Sequence, residues 1–141
     1  MTHRDLTWTQ LEKLFELVQS RSIHIDNHPC ILYDKTYNGL SVDCNYGKLY
    51  KQNGSCIYAH QVVFLYNVGY EDKVVHGIYP PDELSHLCHN SFCLNFEHII
   101  SEHQKNNKNR QKCNNRRVCS SNHIDYISKG KLPDCIIVPK L

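Results

Sequence analysis

Hydrophobic positions recur at helical spacing near the start of the chain, where Trp8, Leu11, Leu14, Phe15 and Val18 share one face. Thr7, with Gln10 three residues later, supplies a capping-box signature. Residues 5–20 are therefore predicted to form an amphipathic helix whose stripe serves core or dimer packing. The stretch 21–39 is mixed and predicts a loop with a short strand around Ile31 to Tyr33. From Leu40 to Asn67, aromatic and β-branched residues predict strands, with Asn53-Gly54 as a two-residue hairpin turn. "VVHGIYPP", 74–81, reads as another strand ended by two prolines. After His98 the pattern suits a short strand end and then a helix of Glu102 to Lys112. The tail from Cys113 is loop-like and too poor in apolar residues to hold itself together.

Composition explains what could hold it. The chain has 141 residues, the size of one domain, of which 40% are hydrophobic. It also carries eight cysteines and ten histidines, more than core packing uses. No apolar run is long enough to span a membrane. The first residues lack the apolar stretch and cleavage site of a secretory signal, so the expected location is cytosol or nucleus. In such a reducing compartment, cysteines beside histidines favour metal over disulfides.

Cys88, Cys93 and His98, each pair separated by four residues, give three zinc-type ligands on one compact loop. Zinc takes four ligands tetrahedrally, so the last must come from upstream. Cys30, Cys44 and Cys56 are candidates, with Cys30 favoured because it precedes an apolar strand. Cys113, Cys119, His123 and Cys135 form a second set with loop-sized gaps. Both sets look closed, with no open position for substrate, and so read as structural. A structural zinc supplies on the order of 10–16 kcal/mol of binding free energy to a fold that needs it.

The formal charge is only +2, but Lys105, Lys108, Arg110, Lys112, Arg116 and Arg117 fall in one stretch without an acidic residue. A polyanionic partner fits that run better than a solvated helix face of alternating sign.

"SHLCHNSFCLNFEH" followed by "EHQKNNKNRQKC" resembles the His-Cys box homing endonucleases, members of the ββα-metal (His-Me finger) nucleases. The likeness is close from Leu84 to Cys113 and looser through "HQVV" at 60–63 and the second cysteine set. It implies an α+β chain: a small zinc-stapled ββα-metal fold with an antiparallel DNA-binding β-sheet and two structural zinc sites. Within one domain, 1–22 would be the N-terminal helix and 28–80 the β-sheet region. Residues 84–113 would be the catalytic core with the first zinc loop, and 113–141 the second zinc loop and tail.

Carried over residue by residue, the resemblance makes His86 the general base and Asn107 the protein's ligand to one catalytic magnesium. It places Cys88, Cys93 and His98 on the first zinc with an upstream cysteine, and Cys113 on the second. Cys119, His123 and Cys135 match by order alone. "KNNKNR" offers Asn106 and Asn109 as well, and only the spacing from His86 selects Asn107. The resemblance further implies homodimers cutting double-stranded DNA at near-palindromic sites, with the hairpin in the major groove. The readers would come from Lys48, Lys51, Gln52, Tyr58, His60 and Gln61. Lys105, Lys108, Arg110, Arg116 and Arg117 would contact phosphates. One departure stands out. The family places a phosphate-contacting arginine ahead of the "QVV" equivalent, and "SCIYAHQVV" has none. Lys48, Lys51, Arg110 or Arg116 would have to replace it. Otherwise the chain is a weak nuclease, or a zinc-stapled DNA-binding protein that has lost cleavage.

Overall fold

The structure, a computed structural model, describes residues 6–38, 46–50, 56–119 and 122–139. Helix α1 spans Trp8–Ser20. Its first turn is closed by the expected capping box: Gln10 N–H donates to Thr7 Oγ1 at 3.2 Å, and Thr7 N–H donates to Gln10 Oε1 at 2.9 Å. Strands β1 (Ser22–His24) and β2 (Ile31–Tyr33) pair antiparallel, with Ile23 opposite Leu32. A 3₁₀ turn follows at Lys35–Asn38. β3 (Lys48–Tyr50) and β4 (Cys56–Tyr58) form a second antiparallel pair, Leu49 opposite Ile57. The residues that would turn that hairpin, Asn53-Gly54 included, lie outside the described residues.

The strand expected through residues 59–67 is instead helix α2, Ala59–Gly69. Its β-branched valines suggested a sheet, but burial decides. Ala59, Val62, Val63 and Leu65 are buried at helical spacing against α1, with Leu11 and Val18 on the facing side. Phe15 stacks on Tyr66 at 3.8 Å between ring centroids, and Trp8 on the same ring at 5.3 Å. Gln61 Oε1 accepts from Tyr58 N–H at 3.1 Å, a bond that starts the helix. Each aliphatic side chain fully withdrawn here contributes roughly 1.5–3 kcal/mol over its exposed state. Residues 74–79, expected to form a strand, have no regular structure.

The next strand, β5, is Asp82–His86. It pairs antiparallel with β6, Ile99–His103, in the register Glu83↔Glu102 and His86↔Ile99. Helix α3, Gln104–Arg116, follows without a loop. The chain 82–116 is thus a β-hairpin and a helix packed together, with a long loop at the hairpin's tip. Among the described residues no helix is long and apolar enough to cross a membrane.

Candidate functional site

The loop between β5 and β6 carries Cys88 and Cys93, and a 3₁₀ turn at its far end, Phe96–His98, carries His98. Asn95 starts that turn: its Oδ1 accepts from Glu97 N–H at 3.1 Å, while its Nδ2 donates to the Pro29 carbonyl at 3.0 Å. β2 lies along the loop, Tyr33 N–H donating to the Phe92 carbonyl at 2.9 Å. Together these contacts bring Cys30 to the other three ligands. His98 Nδ1 sits 3.5 Å from Cys93 Sγ and 3.7 Å from Cys30 Sγ. The ligand atoms of Cys30, Cys88, Cys93 and His98 all lie within 4.8 Å of one another, and all four side chains are buried. Cys44, the second candidate, lies outside the described residues.

The second set also converges. His123 Nε2 is 3.4 Å from Cys113 Sγ, 3.4 Å from Cys119 Sγ and 3.3 Å from Cys135 Sγ. A tetrahedral ion with zinc's usual bond lengths places neighbouring sulfur and nitrogen ligands roughly 3.5 Å apart, and both clusters match. None of the seven described cysteines is in a disulfide. Two Cys3His clusters of this shape fit two zinc ions, whose chemistry is to order loops that lack a core. Burial pushes the Cys135 thiol up to about 12, against the pull of the Arg110 guanidinium. A cation among the sulfurs is what lets such thiols ionise.

His86 ends β5 and belongs to neither cluster, yet the first one holds it. Its Nε2 is 3.0 Å from the Cys93 carbonyl oxygen, which can only accept. Nε2 therefore carries the proton, and Nδ1 keeps a lone pair. Burial lowers the His86 pKa from 6.5, so the ring is neutral at pH 7. The His60 ring lies 4.7 Å away, and Tyr46 lies 4.9 Å from His60 and 6.2 Å from His86. On α3, Asn107 Nδ2 donates to Glu83 Oε1 at 2.8 Å, joining the helix to the strand that carries His86. Neither Glu83 nor Tyr46 was singled out from the sequence. No local signal marks Glu83, whose partner stands 24 residues away.

Several expected DNA contacts fall elsewhere. His60 is buried inside α2, with no hydrogen-bond partner at Nδ1, and Gln61 caps that helix. Neither projects from a strand, because the strand turned helical at Ala59. Arg110 is fully buried. Its Nε donates to Glu102 Oε2 at 2.8 Å and its Nη2 to Glu102 Oε1 at 3.1 Å. Its Nη1 donates to the Pro133 carbonyl at 2.9 Å and approaches Cys135 Sγ at 3.5 Å. Arg110 is thus a strut between β6, α3 and the second cluster, out of reach of a phosphate. Lys108 and Arg117 are exposed, although Arg117 also donates to the Val138 carbonyl at 2.6 Å. Lys105 is exposed and donates to the Tyr126 hydroxyl at 2.9 Å. Lys48 and Tyr58 are half-buried on the β3–β4 pair. Arg116 lies in the last turn of α3, and Lys51 and Gln52 lie outside the described residues.

Comparison with curated proteins and with solved structures returns no match. A family model described as the zinc-binding loop region of homing endonuclease matches residues 30–140, a span holding both clusters, His86 and Asn107. Most of the chain is covered, and the residues it covers build the two metal centres, so the chain belongs to the homing endonuclease zinc-binding loop family, which supports a nuclease-like function and DNA binding.

Proposed function

We propose that the chain is a magnesium-dependent, site-specific double-strand DNA endonuclease acting as a homodimer on a near-palindromic site. One observation carries this reading. The histidine at the end of β5 is neutral, with Nε2–H fixed on the Cys93 carbonyl and Nδ1 left as a base. A histidine that merely filled space would need no such tautomer.

In the reaction, Nδ1 of His86 takes a proton from water, and the water oxygen bonds to phosphorus as the P–O3′ bond breaks. The products are a 5′-phosphate and a 3′-oxygen that gains a proton. General-base help of this kind is worth about 10²–10⁴-fold. Asn107, whose amide nitrogen is engaged by Glu83, offers its side-chain oxygen, a hard donor of the sort magnesium takes. When bound, that ion supplies positive charge to the phosphate and to the departing oxygen. The β3–β4 pair is the proposed major-groove reader, through Lys48 and the neighbouring Lys51 and Gln52. Lys105, Lys108, Arg116 and Arg117 would contact phosphates.

The burial of Arg110 favours a second reading, because it removes one substitute for the missing arginine. On that reading the chain is a zinc-stapled DNA-binding protein with weak or no cleavage. Incubating the zinc-loaded chain with a DNA library and magnesium, then sequencing the ends, separates the two. Cuts at one site, absent with His86→Ala, support the nuclease. Binding without cuts sinks it.

A further inference from the structure

Three asparagines crowd the first turns of α3, and the structure treats them differently. Asn106 is buried and has both ends of its amide in use: Nδ2 donates to Asp125 Oδ1 at 2.8 Å, and Oδ1 accepts from Tyr126 N–H at 2.9 Å. It clamps the tail to α3, with its oxygen already engaged and buried. Asn109 is exposed, on the side of α3 that faces the second cluster. Asn107 is half-buried, and its side-chain nitrogen bonds across to β5.

That last bond has a direction that chemistry enforces. An ionised carboxylate has no hydrogen to give, so it accepts only from the amide nitrogen. With Nδ2 on Glu83 Oε1 at 2.8 Å, Oδ1 must turn the other way. The partner is well placed. Glu83 lies three residues before His86 on the same strand, paired across the hairpin with Glu102. Tyr46, whose ring centroid is 6.2 Å from that of His86, has its pKa raised by burial and then by the Glu83 charge.

We propose that Glu83 is a positioning residue that locks the Asn107 side-chain amide with its oxygen, and not its nitrogen, presented to the divalent cation. This rests on the nuclease reading, in which Asn107 holds that ion. An amide free to flip between two equal orientations is competent half the time, so loss of the lock weakens ion binding by about two-fold.

The test uses the zinc-loaded full chain labelled with ¹⁵N, Mn²⁺ alone as the probe, and the side-chain NH₂ signal of Asn107, identified by its loss in Asn107→Ala. In the wild type, Mn²⁺ should broaden this signal ahead of the other side-chain amides. Glu83→Leu should raise the Mn²⁺ midpoint by about two-fold. Glu83→Gln removes the same charge but keeps an oxygen that can accept from Asn107, so its midpoint should fall between the two. Retained zinc and an unchanged backbone amide spectrum certify folding in each variant. An unmoved midpoint in Glu83→Leu overturns the positioning role and leaves the magnesium reading standing. Equal losses in Gln and Leu overturn it in favour of direct ligation by the carboxylate. No response of Asn107 to Mn²⁺ in the wild type removes the magnesium reading itself, and this proposal with it.

Discussion

The guanidinium of Arg110 donates twice to the carboxylate of Glu102, at 2.8 and 3.1 Å, with each side chain no more than 2% exposed. This bond joins β6 to α3 in the interior. Removing one partner leaves the other charge buried and alone, which costs about 3–5 kcal/mol. Arg110→Met should lose that much in urea titrations of the zinc-loaded chain. Arg110→Met with Glu102→Leu should recover most of it, since no charge is then stranded.

The same burial separates two kinds of basic residue. Lys108→Ala should lower the slope of log affinity against log salt for duplex DNA by about one. Arg110→Met, where it folds, should leave that slope unchanged. A falling slope in Arg110→Met would mean the guanidinium reaches DNA after all.

Metal content should be two zinc ions per chain by elemental analysis. Cys113→Ser should reduce it to one, and chelation should melt the segment 122–138, which forms no helix or strand of its own. Zinc near zero in freshly purified protein would contradict both centres.

On the nuclease reading, cleavage should survive acidification further than an ordinary histidine allows. The base works unprotonated, so activity disappears as pH falls through the His86 pKa. Burial sets that pKa below 6.5, so the acid limb of the rate profile should have its midpoint below 6.5. Zinc content measured at each pH keeps metal loss apart from protonation of the base.

His60 tests the opposite point. Its Nδ1 is buried without a partner, and stranding a polar atom costs about 1–3 kcal/mol. His60→Phe should therefore be neutral or stabilising in thermal melts, and should leave DNA affinity unchanged. Loss of DNA binding would restore His60 to the reading surface.

Metal centres were legible in the chain because ligand chemistry is local and countable. Cys88, Cys93 and His98 announce a missing fourth ligand by their number, and the residue favoured for it, Cys30, is the one that converges on them. Capping of α1 was legible for the same reason, as Thr7 and Gln10 are three residues apart. α2 was not, since Val62 and Val63 suit either a strand or a buried helix, and packing against α1 makes the choice. The burial of Arg110 was not legible, because charge says nothing about depth. Its partner Glu102 was visible eight residues earlier, but only β6 turning directly into α3 brings the two together. Glu83 was missed because its bond to Asn107 is purely tertiary.

The carbonyl that holds His86 belongs to Cys93, which is also a sulfur of the first cluster. Withholding zinc would therefore release the very peptide group that fixes the proton on the histidine ring. On the nuclease reading, loss of the structural metal would disarm the base without altering a single group that touches the substrate.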